Sequence, residues 1–155
     1  MNLRLPEIIL ITGAPGSGKT TLRRQLCETN GWLSWPSWTT RLPRLGEVPG
    51  FDYIFVTQRQ FAMALAQGHL LEHTQLANGL AYGLPRRHVP TRWQPTLVAI
   101  VDRLAAPRLA ATLPQFSVAI QELTANAIEL ERRMRFRGDS PEDIMIRLAV
   151  GSSGR

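Results

Sequence analysis

Cysteine, lysine and histidine are all scarce in this 155-residue chain, and each scarcity excludes something. A lone cysteine, Cys27, cannot close an intramolecular disulfide, and with only three scattered histidines it cannot build a zinc site. The expected compartment is therefore a reducing cytoplasm, with Cys27 as a small apolar residue on a helix. No apolar run approaches the ~18 residues of a membrane span, and no membrane partner is expected. Near the N-terminus Glu7 interrupts the apolar stretch, and Ile8 to Ile11 is too short for a secretory core. Charged residues are few, 19% against 44% hydrophobic, which excludes a disordered chain. At this length one domain can bury ~70% of its unfolded surface without staples. Lysine occurs once, at Lys19; the other 17 of the 18 basic residues are arginines, and 12 acids leave a formal +6. The arginines are spread along the chain with no aromatic-basic motif beside them, so anionic small molecules, not nucleic acid, are the expected partners. Nothing in the sequence specifies an oligomeric state.

Residues 7–12 are nearly all apolar, the pattern of a strand buried on both faces of a parallel sheet. A glycine-rich turn follows, then a helix from Thr20 to Glu28 with Leu22 and Leu26 at helical spacing. Strand, glycine turn and helix open an α/β unit. From Trp32 to Leu84 prolines and glycines multiply around a β-rich Tyr53–Val56. Thr57 can cap a short helix that Gly68 ends, as expected of a small mixed β insert. Leu97 to Val101 returns to a buried strand ending at Asp102, and Phe116 to Ile120 is a weaker one. Residues 124–136 make a helix dense in arginine at its C-terminal part. Ser140 and Pro141 start a last helix running to Leu148, and residues 149–155 read as a flexible tail.

Gly13-Ala14-Pro15-Gly16-Ser17-Gly18-Lys19-Thr20 satisfies G-x-x-x-x-G-K-[ST], the phosphate loop of nucleoside triphosphate-binding proteins. Glycines let successive N–H groups turn inward around a phosphate, and the positive end of the following helix adds to them. Lys19 can reach the β- and γ-phosphates of ATP, the Thr20 hydroxyl can ligate Mg²⁺, and Thr21 closes the expected ATP-binding run 13–21. A compact ammonium fits inside such a loop where a planar guanidinium does not, which accounts for the one lysine.

Thr39-Thr40-Arg41-Leu42-Pro43-Arg44-Leu45-Gly46-Glu47 continues without a gap into Val48-Pro49-Gly50-Phe51-Asp52-Tyr53-Ile54-Phe55-Val56. Two arginines three apart on a proline-braced segment, followed by a tyrosine, can offer forked donors and a hydroxyl to one phosphate. This run closely resembles the nucleoside monophosphate-binding insert of the guanylate kinase family, T-T-R-x-P-R-x-G-E-x-x-G-x-D-Y-x-F-V. The resemblance implies that Arg41, Arg44 and Tyr53 hold the phosphate of GMP, with Ser37 beside them. Gly68-His69-Leu70-Leu71-Glu72-His73 resembles the family's G-x-F-L-E-W segment, which implies that Glu72 reads the guanine edge. Asn78 to Gly83 resembles its G-N-x-Y-G turn, which puts Tyr82 in the monophosphate site. Asp102 matches the last acid of V-I-L-D-I-D, a second guanine contact. Glu131 to Ser140 resembles the lid, which implies that Arg133 and Arg137, with Arg147 on the helix after it, approach the transferring phosphoryl group. Independently of the resemblance, Glu72 and Asp102 are the only acids between Asp52 and Glu122. Both fall where guanine needs acceptors for its N–H donors.

The resemblance implies a P-loop NTPase-type parallel sheet flanked by helices, with a small mixed β GMP-binding insert and an arginine-rich lid. Its divisions are a core over 1–31 and 85–123, the insert over 32–84, and the lid region with flanking helices over 124–148. The implied activity is Mg²⁺-assisted, in-line phosphorylation of GMP or dGMP by ATP. The match departs from the family at Ile100, where a first aspartate usually stands, and at Leu84, in place of a Ser or Thr. It runs one residue longer between Glu72 and Tyr82, and one shorter between Gly138 and Asp139. Family members usually continue past the lid helix with another strand and helix, and this sequence ends at Arg155. The 78–83 turn is also similar to that of ribose bisphosphate kinases. A catalytically impaired nucleotide-binding module is the third reading, and the intact Lys19 and Thr20 speak against it.

Overall fold

The computed structural model describes residues 7–86 and 95–152, except the side chains of Ala127 and of residues 147–152. Its core is a four-stranded parallel sheet in the order β2-β7-β1-β8, formed by β1 (Ile8–Gly13), β2 (Leu33–Trp35), β7 (Leu97–Ile100) and β8 (Val118–Leu123). Alternation along β1 divides its side chains between two layers. Ile8 and Leu10 face α3 (Ala105–Ala111), in a cluster with Trp35, Ala106 and Leu109. Ile9 and Ile11 face α1 (Lys19–Asn30), against Leu22, Leu26 and Cys27. Burial on both faces is why β1 reads as a continuous apolar run.

The second sheet has the order β4-β3-β6-β5, from β3 (Ser37–Thr39), β4 (Tyr53–Phe55), β5 (Leu70–Gln75) and β6 (Ala81–Pro85). β3 runs parallel to β4 and antiparallel to β6, so the insert is mixed as expected. Against it packs α2 (Gln58–Ala66), whose Thr57 forms a full capping box with Gln60 and buries Phe61 and Ala64. The chain leaves the core at Pro36 and returns at Pro85. The fully buried Trp35 ties the two crossings by donating its indole N–H to the Pro85 carbonyl at 3.0 Å.

Four sequence boundaries shift. The insert was expected to begin at residue 32, but Leu33–Trp35 is a strand of the core sheet; three residues at a sheet edge are too few to show a period. The strand expected at 116–120 lies at Val118–Leu123, because pairing with β1 in register from Ile8↔Val118 to Gly13↔Leu123 sets its extent, and polar Gln121 and Glu122 mask it. The helix expected from 124 starts at Ala127 behind an Asn126 cap, as α4 (Ala127–Phe136). Finally, α5 (Pro141–Ser152) runs four residues past Leu148 into the expected tail; Ala149 and Val150 prolong a helix already nucleated, which costs little per residue. Leu130 and Met134 of α4 and Ile144 of α5 pack on Ala14, so α4 and α5 sit directly on the glycine loop after β1.

Candidate active site

The loop from Gly13 to Gly18 links the C-terminal end of β1 to α1. Gly13 has φ +142° and a Cβ there would stand 2.4 Å from the Leu123 carbonyl, so β8 admits only glycine at the loop's first position. Gly16, at φ +78°, lies under α4, 3.1 Å from the Leu130 carbonyl by the same measure. α1 begins without a side-chain cap and without an acid in its first turn, which leaves its positive end to a ligand. Lys19 curls back over the loop and donates to the Gly13 and Ala14 carbonyls, each at 2.7 Å. Ser17 Oγ is buried among these groups with no hydrogen-bond partner. The glycine backbone in front of it, at the uncapped start of α1, is what an incoming oxyanion would meet.

A cleft of about 1470 Å³ opens in front of the loop. Every expected loop residue from Gly13 to Thr21 lines it except Ser17, which lies behind the wall. Its second wall comes from the insert: Ser37, Arg41, Arg44, Tyr53, Glu72 and Tyr82 all face the same space, as does Asp102 after β7. Arg133 of α4 and Arg137 at its C-terminal cap complete it. Arg147 lies on α5, and its side chain is outside the described residues. Residues as far apart in sequence as Gly13 and Arg137 thus converge on one cavity.

The insert arginines are held differently. Arg41 is buried and forked onto Glu47, with Nη1 to Oε2 at 3.0 Å and Nη2 to Oε1 at 2.7 Å; Nη1 also donates to the Leu42 carbonyl at 2.7 Å. Burial by itself would lower its pKa, but the Glu47 hydrogen bonds and nearby negative charge raise it instead, so Arg41 stays a cation. Its guanidinium lies 5.2 Å over the Tyr53 ring, which meets Tyr82 edge-on at 6.0 Å. Arg44 pairs with Asp139 of the turn between α4 and α5 at 3.0 Å, and Ser37 Oγ donates to the Ile100 carbonyl at 3.4 Å. On α4, Arg133 donates Nη1 to the Gly16 carbonyl at 3.2 Å and Nε to Glu129 at 2.6 Å, so an arginine already rests on the loop.

The two acids of the acceptor end differ as well. Glu72 is pushed up to about 7 by burial first and by the Asp102 charge second, against a hydrogen bond from Thr74 Oγ1 at 3.2 Å. Asp102 braces the turn into α3, its Oδ1 accepting from the Leu104 N–H at 2.8 Å and the Ala105 N–H at 3.4 Å. It therefore does two jobs: one oxygen fixes the helix while the residue still faces the cleft.

Several residues to which sequence reasoning gave no role support this arrangement. Glu47 forks Arg41 and accepts the Arg44 backbone N–H at 2.7 Å. Asp52, fully buried, pairs with Arg23 at 3.2 Å and Arg24 at 2.9 Å and accepts the Val48 N–H at 2.8 Å. It thus bolts the insert to α1. Both acids lie inside the 39–56 motif, and an acid amid arginines was the available signal. Arg23 had no such signal, since an arginine on a helix reads as solvated; here it is buried, and burial lowers its pKa against the pull of Asp52.

Comparison with known proteins bears on this geometry. The family model described as guanylate kinase matches residues 6–148. A guanylate kinase of Trichormus variabilis is 39% identical over 144 residues, 91% of this chain and 71% of that protein. One from Thermosynechococcus vestitus is 40% identical over 147 residues, 92% of this chain and 76% of that protein. Among solved structures, a guanylate kinase from Anaplasma phagocytophilum superposes with a TM-score of 0.65 at 21% identity, over 96% of this chain and 73% of that one. At that identity the superposition speaks for the fold.

Proposed function

Because the chain belongs to the guanylate kinase family, we infer that its cleft catalyses transfer of the γ-phosphoryl group of ATP to the phosphate of GMP, giving ADP and GDP. The observation that carries the residue assignments is the convergence of Lys19, Arg44, Arg137 and Glu72, from loop, insert and lid, on one cavity.

ATP is assigned to the phosphate loop, where the glycine cradle at the uncapped start of α1 suits its phosphates. Lys19 exchanges two carbonyl partners for the β- and γ-phosphates. Thr20, half-buried on the cleft wall, is the protein ligand we assign to Mg²⁺. Among the described residues no group of three or more His, Cys, Asp or Glu could hold a metal, and Ile100 offers no ligand. One hydroxyl suffices for Mg²⁺, which keeps waters and takes its other ligands from substrate phosphates. Bound there, the ion neutralises charge on the β- and γ-phosphates.

On the acceptor side Arg44 and Tyr53 hold the GMP phosphate, while Arg41, forked onto Glu47, supplies fixed positive charge behind it. Glu72 and Asp102 accept hydrogen bonds from guanine. A phosphate oxygen of GMP attacks Pγ in line as the bond from Pγ to the β-phosphate oxygen breaks. The nucleophile is already an oxyanion, so no general base is needed. Arg133 and Arg137 stabilise charge on the equatorial oxygens and help exclude water. Residues 36–84 thus serve as the acceptor insert and 124–148 as the lid region. The lone free Cys27 supports a reducing cytoplasm as the place of action. Among the described residues no helix is long and apolar enough to cross a membrane.

A coupled ADP-release assay over GMP, AMP, UMP and ribose 1,5-bisphosphate tests this reading. Turnover with GMP alone is the expected result. Activity with the sugar phosphate, or GMP binding without turnover, would overturn it.

A further inference from the structure

Asp139 stands just beyond α4, where local structure leaves it little freedom. Gly138, at φ +87°, donates its N–H to the Arg135 carbonyl at 3.0 Å, and Asp139 donates its own to the Met134 carbonyl at 3.1 Å. This Schellman cap fixes the backbone of Asp139 relative to α4. On its other side Ser140 caps α5 by accepting the Asp143 N–H at 3.1 Å. The carboxylate is 2% exposed and reaches two parts of the molecule at once. Oδ1 accepts from Arg44 Nη2 of the insert at 3.0 Å, and Oδ2 accepts from Arg137 Nη2 of the lid at 2.7 Å.

Both arginines line the cleft and Asp139 does not. The carboxylate therefore sits behind the two arginines, whose side chains remain 21% and 37% exposed. A guanidinium has five N–H donors, so one spent on Asp139 leaves others for phosphate. Without a carboxylate between them, the two cations would repel. A second contact joins the same parts, Asn78 Nδ2 to Asp143 Oδ1 at 3.3 Å, but it is solvent-exposed and correspondingly weak.

We propose that Asp139 is a positioning residue that locks the lid to the acceptor insert and sets the spacing between Arg44 and Arg137. Acceptor phosphate and transferring phosphoryl group then meet in line. This rests on the reading that Arg44 and Arg137 bind phosphate.

The test is Asp139→Asn, which keeps the shape, removes the charge and turns an amide N–H toward a guanidinium. The expected result is a fall of about 100-fold in kcat/KM for GMP while the KM for ATP moves by less than about threefold. Asp139→Asn added to Arg44→Ala should cost no more than about threefold further, because both break the one Asp139 contact that joins the two parts. Asp139→Glu should recover part of the loss. A structural defect alone would instead add to Arg44→Ala and raise both KM values. An activity-independent readout uses spin labels on Met63→Cys of α2 and Ile128→Cys of α4, both exposed, in a Cys27→Ala background. Asp139→Asn should broaden the distance distribution between them. Additive kinetics, unchanged kcat/KM or an unchanged distribution would each overturn the proposal. Should the wild type fail to phosphorylate GMP, the kinase reading falls, and the label distances alone decide the latch.

Discussion

Replacing Glu72 by glutamine should make the protein more stable and a worse kinase, and the two effects have one cause. Burial and the Asp102 charge raise the Glu72 carboxyl from 4.5 to about 7 in the folded state. A group whose folded pKa lies above its unfolded value stabilises the fold while protonated, and that stability is lost as pH rises through the folded value. At 1.36 kcal/mol per unit, wild-type protein loses up to about 3 kcal/mol between pH 4.5 and 7.5 from this group alone. Glutamine keeps the shape and can accept from Thr74 Oγ1 without titrating. Glu72→Gln should therefore match wild type near pH 4.5 and exceed it by up to about 3 kcal/mol at pH 8, or roughly 6–12 °C in Tm for a chain of this size. Recognition should move the other way. A carboxylate can accept two N–H donors from guanine, whereas the amide offers one acceptor and one misplaced donor; losing a charge-assisted pair costs about 3 kcal/mol, or ~100-fold in the KM for GMP. Urea unfolding at half-unit steps from pH 4.5 to 8, with the coupled assay at pH 8, reads both. A stability difference that stays flat across that range would refute the electrostatic argument, and a KM for GMP within twofold of wild type would remove Glu72 from the acceptor site.

Three further perturbations probe the other parts of the site. Lys19→Ala should cut turnover by at least about 10³-fold with little change in melting temperature, since the ammonium faces a loop and not the core; substantial ATP-dependent turnover would end the phosphate-loop assignment. Arg44→Ala should raise the KM for GMP and lower kcat, each by about tenfold or more, while the KM for ATP stays put. Asp52→Asn strands Arg23 as a buried cation and should cost about 3–5 kcal/mol in denaturant unfolding, a loss of stability and not of a catalytic group.

The core strands, the phosphate loop and the capped helix of the insert were legible because each carries a local signature. β1 is apolar throughout since it is covered on both faces, Thr57 and Gln60 announce a helix start, and three glycines precede Lys19 where backbone must wrap a phosphate. β2 was hidden because three residues at a sheet edge show no period, and β8 because its extent comes from pairing with β1. Among candidate site residues, Arg44, Tyr53 and Glu72 were picked out by resemblance to family motifs, and the structure brings all three to one cleft. The roles of Glu47, Asp52 and Asp139 were not, because an acid's partner across the fold leaves no trace in its neighbours.

The sequence by itself carried the groups from which the chemistry is inferred: one lysine in a glycine loop, two arginines three apart followed by a tyrosine, and two isolated acids. These are short-range facts, set by residue type and spacing along the backbone. Only the tertiary structure decided how those groups are paired and charged. It forks Arg41 onto Glu47, shifts the Glu72 carboxyl toward neutrality by burying it near Asp102, and places Asp139 between an insert arginine and a lid arginine. Ion pairing and desolvation depend on distances between residues far apart in the chain. Those distances exist only once the two sheets and the lid have packed.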